Sequence, residues 1–257
     1  MKTFDSAMLR LIEHSGAAAK KFLFAGIAIC ALAAVPAKAA DVTKAPGFMP
    51  VTWTGLYAGI NGGAGMANSE FLDPDCLSCT DTKFQTAFGT FGGQLGYNWQ
   101  YRAMVVGLEG DVNWAGAKAS KLFALKNLFV GTANFKFDTF TSIRARMGLT
   151  LDNALVYVSA GPVWGHFRSS TNLTETDGTQ LAATDNAWHP GLAIGAGVEY
   201  MLTNNWGFRG EYLFLNFKDV EVPWVGVNNC AIIETCRMNY TYSAQIARIG
   251  LNYKFGY

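Results

Sequence analysis

Residues 104–114 read MVVGLEGDVNW, with Met104, Val106, Leu108, Val112 and Trp114 apolar and Glu109, Asp111 and Asn113 standing between them. Successive side chains of a strand point to opposite faces, so a period of two marks a strand with one apolar and one polar side. The alternation recurs in FKFDTFTSIRARMGL (135–149), which sets Phe135, Phe137, Ile143, Ala145, Met147 and Leu149 against Lys136, Asp138, Arg144 and Arg146. It recurs again in WHPGLAIGAGVEY (188–200) and WGFRGEYLFLNF (206–217). There Glu199, Arg209 and Glu211 oppose Trp188, Leu192, Ile194, Val198, Trp206, Phe208, Tyr212 and Phe214. The chain ends on IARIGLNYKFGY (246–257), where Ile249, Leu251, Tyr253, Phe255 and Tyr257 alternate with Arg248, Gly250, Asn252 and Lys254. Only ALVYVSAGPVWGHF (154–167) is apolar on both faces, and its orientation stays open.

Segments of this kind fall at about 53–66, 85–101, 104–114, 135–150, 154–167, 188–201, 206–217 and 239–257. Short links near Arg102, at Asp152-Asn153 and at Thr203-Asn204-Asn205 follow the second, fourth and sixth; long polar connections follow the first, third, fifth and seventh. An even set of antiparallel strands with tight turns at one end and long loops at the other is the layout of a closed transmembrane barrel, which leaves no backbone group unpaired in lipid. The predicted fold is therefore all-β, an eight-stranded antiparallel up-and-down transmembrane β-barrel over residues 53–257. A soluble β-sandwich would also alternate. It would not account for Trp53, Tyr57, Tyr97, Trp99, Trp114, Tyr200, Trp206, Tyr253 and Phe255 collecting at strand ends, where girdle residues meet lipid headgroups. The stretch KLFALKNLFV (121–130) reads either as a short rim helix or as an extension of the fourth strand.

The first 39 residues stand apart. Lys20 and Lys21 precede the apolar run FLFAGIAICALAAVPA and then Ala37-Lys38-Ala39, the three parts of a secretory signal peptide. That run is shorter than the roughly 20 residues a spanning helix needs, which argues against an uncleaved anchor. Cleavage after Ala39 leaves residues 40–52 as a periplasmic N-terminal segment. It also removes Cys30, five of the 20 basic residues and two of the 19 acidic ones, so the exported chain is weakly acidic. Nearly balanced charge, without a clustered Lys/Arg run in the body, carries no nucleic-acid footprint.

Nearly the whole mature chain resembles the alphaproteobacterial outer-membrane immunogenic protein family of small, OmpA-like barrels of the porin superfamily. The resemblance is carried by ADVTKAP (40–46), WTGLYAGINGGAG (53–65), GAGVEYMLTNNW (195–206) and EYLFLNF (211–217). RIGLNYKF (248–255) is similar to the terminal signal by which the barrel-assembly machinery recognises such proteins, with Tyr253, Phe255 and Tyr257 its aromatic residues. The resemblance implies a barrel of the cell outer membrane in contact with lipid and lipopolysaccharide, antigenic loops open to ligands outside the cell, and no defined reaction, cofactor or metal.

The inward register of such a barrel supplies Glu109, Asp111, Asp138, Glu199 and Glu211 against Lys136, Arg144, Arg146, Arg209, Arg248 and Lys254. An eight-stranded barrel has room inside only for its own side chains. Pairs Glu109 with Arg144, Glu199 with Arg209 and Glu211 with Arg248 are therefore expected to plug it, Arg146 lying among them. The expected role is structural and surface-interactive, with a narrow diffusion pore as the alternative and a rim-located lipid-modifying enzyme third. The enzyme reading rests on His166 near Ser169 and Ser170; His189 reads as a lumen or rim residue. GINGGAG and AIGAGVEY lack the helix that would make them phosphate cradles. Cys76 with Cys79, and Cys230 with Cys236, lie in the first and last long loops. They suggest two local disulfides, with cross-loop bridges or a four-sulfur zinc site as alternatives.

Overall fold

The computed structural model describes residues 52–72, 82–125, 129–175, 180–223 and 237–256. The segment 1–39, most of 40–52, the four loop cysteines and Tyr257 lie outside the described residues. The strands are β1 (Gly55–Leu72), β2 (Thr82–Tyr101), β3 (Met104–Leu125), β4 (Phe129–Leu151), β5 (Ala154–Glu175), β6 (Gln180–Met201), β7 (Trp206–Phe217), β8 (Val220–Pro223) and β9 (Arg237–Lys254). Each pairs antiparallel with its neighbour, and β1 pairs with β9 from Tyr57↔Lys254 to Leu72↔Asn239, which closes the ring. Among the described residues no helix is long and apolar enough to cross a membrane; the strands make the wall.

Among the described residues nine strands stand where eight were expected. The extra one, β8, continues the path of β7 along the same neighbour: β9 pairs with β7 from Tyr253 to Ser243 and with β8 from Tyr240 to Arg237. Lys218 and Asp219 interrupt the ladder between them. The Lys218 amide donates to the Pro190 carbonyl at 2.9 Å, and Asp219 accepts a 2.7 Å hydrogen bond from Thr241 Oγ1.

The strands also run well past the predicted segments. β3 to β6 have 22 or 23 residues each, whereas a tilted strand crosses the hydrocarbon layer in about 9–11. The described residues of KLFALKNLFV, 121–125 and 129–130, are strand and not a rim helix, since β3 and β4 stay paired to Leu125↔Phe129. The physical reason is environmental. Beyond the bilayer the outer face meets water while the inner face stays buried, so selection for an apolar outward face lapses and the period-two signal fades, although the backbone ladder continues.

At one end the connections are tight. Arg102 (φ 55°) and Asp152 (φ 53°) take the left-handed conformation that two-residue hairpin turns require. The third turn, 202–205, is held by Thr203 Oγ1, which accepts from the amides of Asn205 (3.3 Å) and Trp206 (3.0 Å). The outward face carries an exposed apolar band, with Ile60, Leu95, Leu108, Val112, Ile143, Met147, Val158, Leu192, Ile249 and Leu251 among its members. Tyr97, Trp99, Trp114, Tyr200, Trp206, Tyr253 and Phe255 share that face. Trp53 and Tyr57 do not: both are buried in the lumen, because the odd residues of β1 point inward.

The lumen is layered. Nearest the turns, Trp53, Val105, Leu155, Tyr157 and Met201 form a small apolar floor, which also orients β5, its odd residues inward. A charged layer follows, and toward the loops an aromatic layer closes over it. In that layer Phe167 stacks on Tyr242 (4.3 Å between centroids) and on Phe137 (4.7 Å), with Phe140 and Phe217 packed alongside. The aromatic layer depends on a bulge. In the β4–β5 ladder Phe137 pairs with Phe167 but Thr139 with His166, so Asp138 is an extra residue. Below it the even residues of β4 face inward, and above it the odd ones do. Phe135 and Phe137, assigned to the lipid face from the alternation alone, are therefore inside, while Lys136 and Asp138, assigned to the lumen, turn to the outer wall.

Candidate functional site

The charged layer is built by residues that the ladder places side by side. Glu109 pairs in register with Arg144, and Glu211 with Arg248. The side chains close on their partners: Arg144 Nη2 lies 2.7 Å from Glu109 Oε1, and Arg248 Nη2 lies 2.6 Å from Glu211 Oε2. Arg144 also reaches Asp111 diagonally along the wall (2.7 Å), and further bonds cross the lumen, from Arg144 to Glu211 (2.8 Å) and from Arg248 to Asp111 (3.2 Å). Glu199 and Arg209 are register partners, yet they do not bond each other. Glu199 instead takes Arg146 (2.8 Å), while Arg209 spans the barrel to Glu109 and also reaches Glu211 (3.3 Å). The long arginine stem lets Arg209 choose a carboxylate across the narrow bore instead of its neighbour along the wall, whereas Arg144 and Arg248 bond their register partners as well as more distant carboxylates.

Four carboxylates thus meet four guanidiniums, and all eight side chains are at least 95% buried. Buried charges are costly unless paired and hydrogen-bonded, and neutral groups extend the network, although Arg146 Nε, Arg209 Nε and the Tyr157 hydroxyl find no partner among the described residues. Tyr57 donates to Glu109 (2.7 Å) and accepts from Arg146 (3.0 Å). Asn252 donates to Glu199 and accepts from Gln94 (2.7 Å), which in turn accepts from Asn61 (2.7 Å). Asn113 and Ser142 donate to Asp111 at 2.7 and 3.0 Å. Arg146 lies over the Tyr157 ring at 4.4 Å, a cation held against an aromatic face. Gly197 leaves room for that tyrosine, since a Cβ there would lie 2.7 Å from its hydroxyl.

Tyr157 and Gln94 escape the sequence reading, Tyr57 is read there as a girdle residue, and Asn252 only as part of the polar face of the last strand. Their one available signal was parity, because each occupies an inward position of a strand otherwise read for its apolar face. Tyr253 and Phe255 face outward, packed edge to face at 5.2 Å, with Trp206 5.0 Å from Tyr253. The serine and histidine arrangement considered for a lipid enzyme does not assemble. His166 lies on the outer face of β5, against Trp188 at 5.3 Å and Asp138 at 3.3 Å, whereas Ser169 is buried inside on Tyr242 (2.8 Å), and Ser170, outward like His166 but four residues further along the strand, takes a 3.4 Å hydrogen bond from Asn134 instead. His189 is inside too, bonded to Asp185 at 2.7 Å. Among the described residues no cluster of three or more His, Cys, Asp or Glu side chains could hold a metal ion.

A family model described as an outer membrane protein beta-barrel domain matches residues 27–255. The chain belongs to that family. It is 33% identical to the 31 kDa outer-membrane immunogenic protein of Brucella melitensis over 244 residues, covering 88% of this chain and 97% of that one. With the 22 kDa outer membrane protein of Rhizobium leguminosarum bv. viciae it shares 26% identity over 206 residues, 79% of each chain. The crystal structure of the outer membrane protein OprG from Pseudomonas aeruginosa superposes with a TM-score of 0.43 at 13% identity, over 79% of this chain and 97% of that one. This family member is an outer-membrane barrel, and its apolar band contacts the lipid and lipopolysaccharide of that membrane. In barrels of this kind the short turns are periplasmic and the long connections extracellular, so the floor of the lumen faces the periplasm and the aromatic layer the outside.

Proposed function

We propose that the protein is a closed barrel whose lumen is plugged by its own charges and whose work is done on its outer surface, as an envelope component that displays loops. The observation carrying this reading is the eight-membered ionic layer tying β3, β4, β6, β7 and β9 together across the bore. A conducting pore needs a continuous aqueous path. Here the path would have to pass an apolar floor, a fully paired charged layer and an aromatic stack. The immunogenic relative supports surface display by its name.

The remaining assignments belong to the same proposal. Residues 1–39 are removed as a signal peptide, 40–52 stay in the periplasm, and Tyr253, Phe255 and Tyr257 present the last strand to the barrel-assembly machinery. The extracellular loops bind ligands, stapled by disulfides Cys76–Cys79 and Cys230–Cys236. Single-channel recording on the purified mature protein in planar bilayers tests the central point. The plugged reading expects a quiet baseline. Large, steady, loop-independent openings in the wild type would replace it with the diffusion-pore reading.

A further inference from the structure

We propose that the outer wall formed by β3 to β6, just beyond the lipid-facing band, is a binding row for the phosphorylated sugar headgroup of an outer-leaflet glycolipid. This rests on the outer-membrane location alone and is independent of whether the lumen conducts.

The ladder puts three cations in one line. Lys118 pairs in register with Lys136, and Lys136 with Arg168, on three neighbouring strands. Like charges placed directly opposite destabilise a sheet unless something anionic lies between them. The protein supplies only part of the compensation. Asp138, turned outward by its bulge, takes Lys136 Nζ at 2.6 Å and Arg168 Nε at 3.1 Å. Among the described residues Lys118 has no such partner. Three cations therefore share one carboxylate, and the Arg168 side chain is still 54% exposed.

Position selects the anion. His166 pairs with the girdle residue Trp188, and Arg168 with Asn186 two positions further out, so Arg168 stands about 7 Å along the tilted strand, or roughly 5 Å in height, beyond that tryptophan. Headgroup phosphates begin at that height. From Lys118 to Arg168 is two strand spacings, about 10 Å, too wide for one free phosphate and suited to a headgroup bearing separated anionic groups. The row borders a groove of about 510 Å³, in which Asn134 and Asn186 offer hydrogen-bonding groups of the kind that take sugar hydroxyls. Arginine would hold a phosphate through its fork and lysine through its point charge.

The test uses the full mature protein, purified folded in detergent and titrated with lipopolysaccharide, with the same lipopolysaccharide after phosphatase treatment, and with inorganic phosphate. Binding is read by native mass spectrometry and thermophoresis, with folding checked by mobility on unheated gels. The triple variant Lys118→Gln, Lys136→Gln, Arg168→Gln should bind intact lipopolysaccharide at least about tenfold more weakly than wild type, while Lys218→Gln, between β7 and β8, should match wild type. Lys118→Gln alone leaves the Asp138 bridges intact, so it cannot fail for want of them; it should weaken binding roughly threefold. Unchanged affinity in either folded row variant overturns the proposal. So does equal affinity for the dephosphorylated glycolipid, or inorganic phosphate competing as well as the glycolipid, which would reassign the row to a free anion.

Discussion

Glu211 bonds three guanidiniums at once, those of Arg144, Arg209 and Arg248. Truncating it strands cations that cannot reach water, and breaking one side of a buried ion pair costs about 3–5 kcal/mol. Glu211→Ala should therefore lose stability of that order in urea unfolding, and should raise any leak conductance. Glu70→Ala is the control. Its partner Lys83 lies 2.6 Å away, but the two side chains are 45% and 68% exposed, so water screens the pair and its loss should cost below about 1 kcal/mol. Equal destabilisation of the two variants would show that the lumen charges are solvated. Tyr57→Phe removes a hydroxyl bonded to both Glu109 and Arg146, and should cost about 1–3 kcal/mol by the same assay.

Among the strands, β4 and β9 carry the most decisive constraints. Asp138 gives β4 a residue more than β5 opposes, which is why Phe137 and Arg144 can both point inward although their separation is odd. Deleting Asp138 should force either the aromatic or the charged part of β4 onto the wrong face. The expected result is failure to form the heat-resistant folded band on unheated gels, with Thr139→Ala next to it remaining normal. For β9, removing residues 253–257 takes away Tyr253 and Phe255 and the pairing of Lys254 with Tyr57. The truncated protein should reach the periplasm yet remain absent from outer-membrane fractions; normal recovery there would refute a terminal insertion signal. The alternation within single strands made the membrane-facing halves legible, whereas the bulge was not, since one extra residue leaves no trace in composition and reverses every side chain beyond it.

Across the whole molecule, the ring joins the first strand to the last, and β9 touches β1, β7 and β8. The loops holding Cys76 and Cys79, and Cys230 and Cys236, precede β2 and β9, and those two strands flank β1. Non-reducing digestion and mass spectrometry of the exported protein should find Cys76 joined to Cys79 and Cys230 to Cys236. Free thiols throughout would dismiss the disulfides, and mixed peptides between the two loops would make them a cross-loop staple.

Period two, the turn residues and the aromatic strand ends were enough to specify an antiparallel barrel with a charged interior, because these signals are local and each strand carries its own. The register pairs Glu109–Arg144 and Glu211–Arg248 do bond as the alternation suggests, but the contacts across the bore could not be read the same way. Glu199 and Arg209 are adjacent along the wall but bond elsewhere, since a guanidinium on a long stem in a narrow bore finds its carboxylate by distance through the lumen. The aromatic layer, the inward Tyr57 and the outward row of Lys118, Lys136 and Arg168 likewise exist only once the ring is closed and the bulge has set its register. They depend on neighbours far away in the chain, whose height and facing no single strand contains.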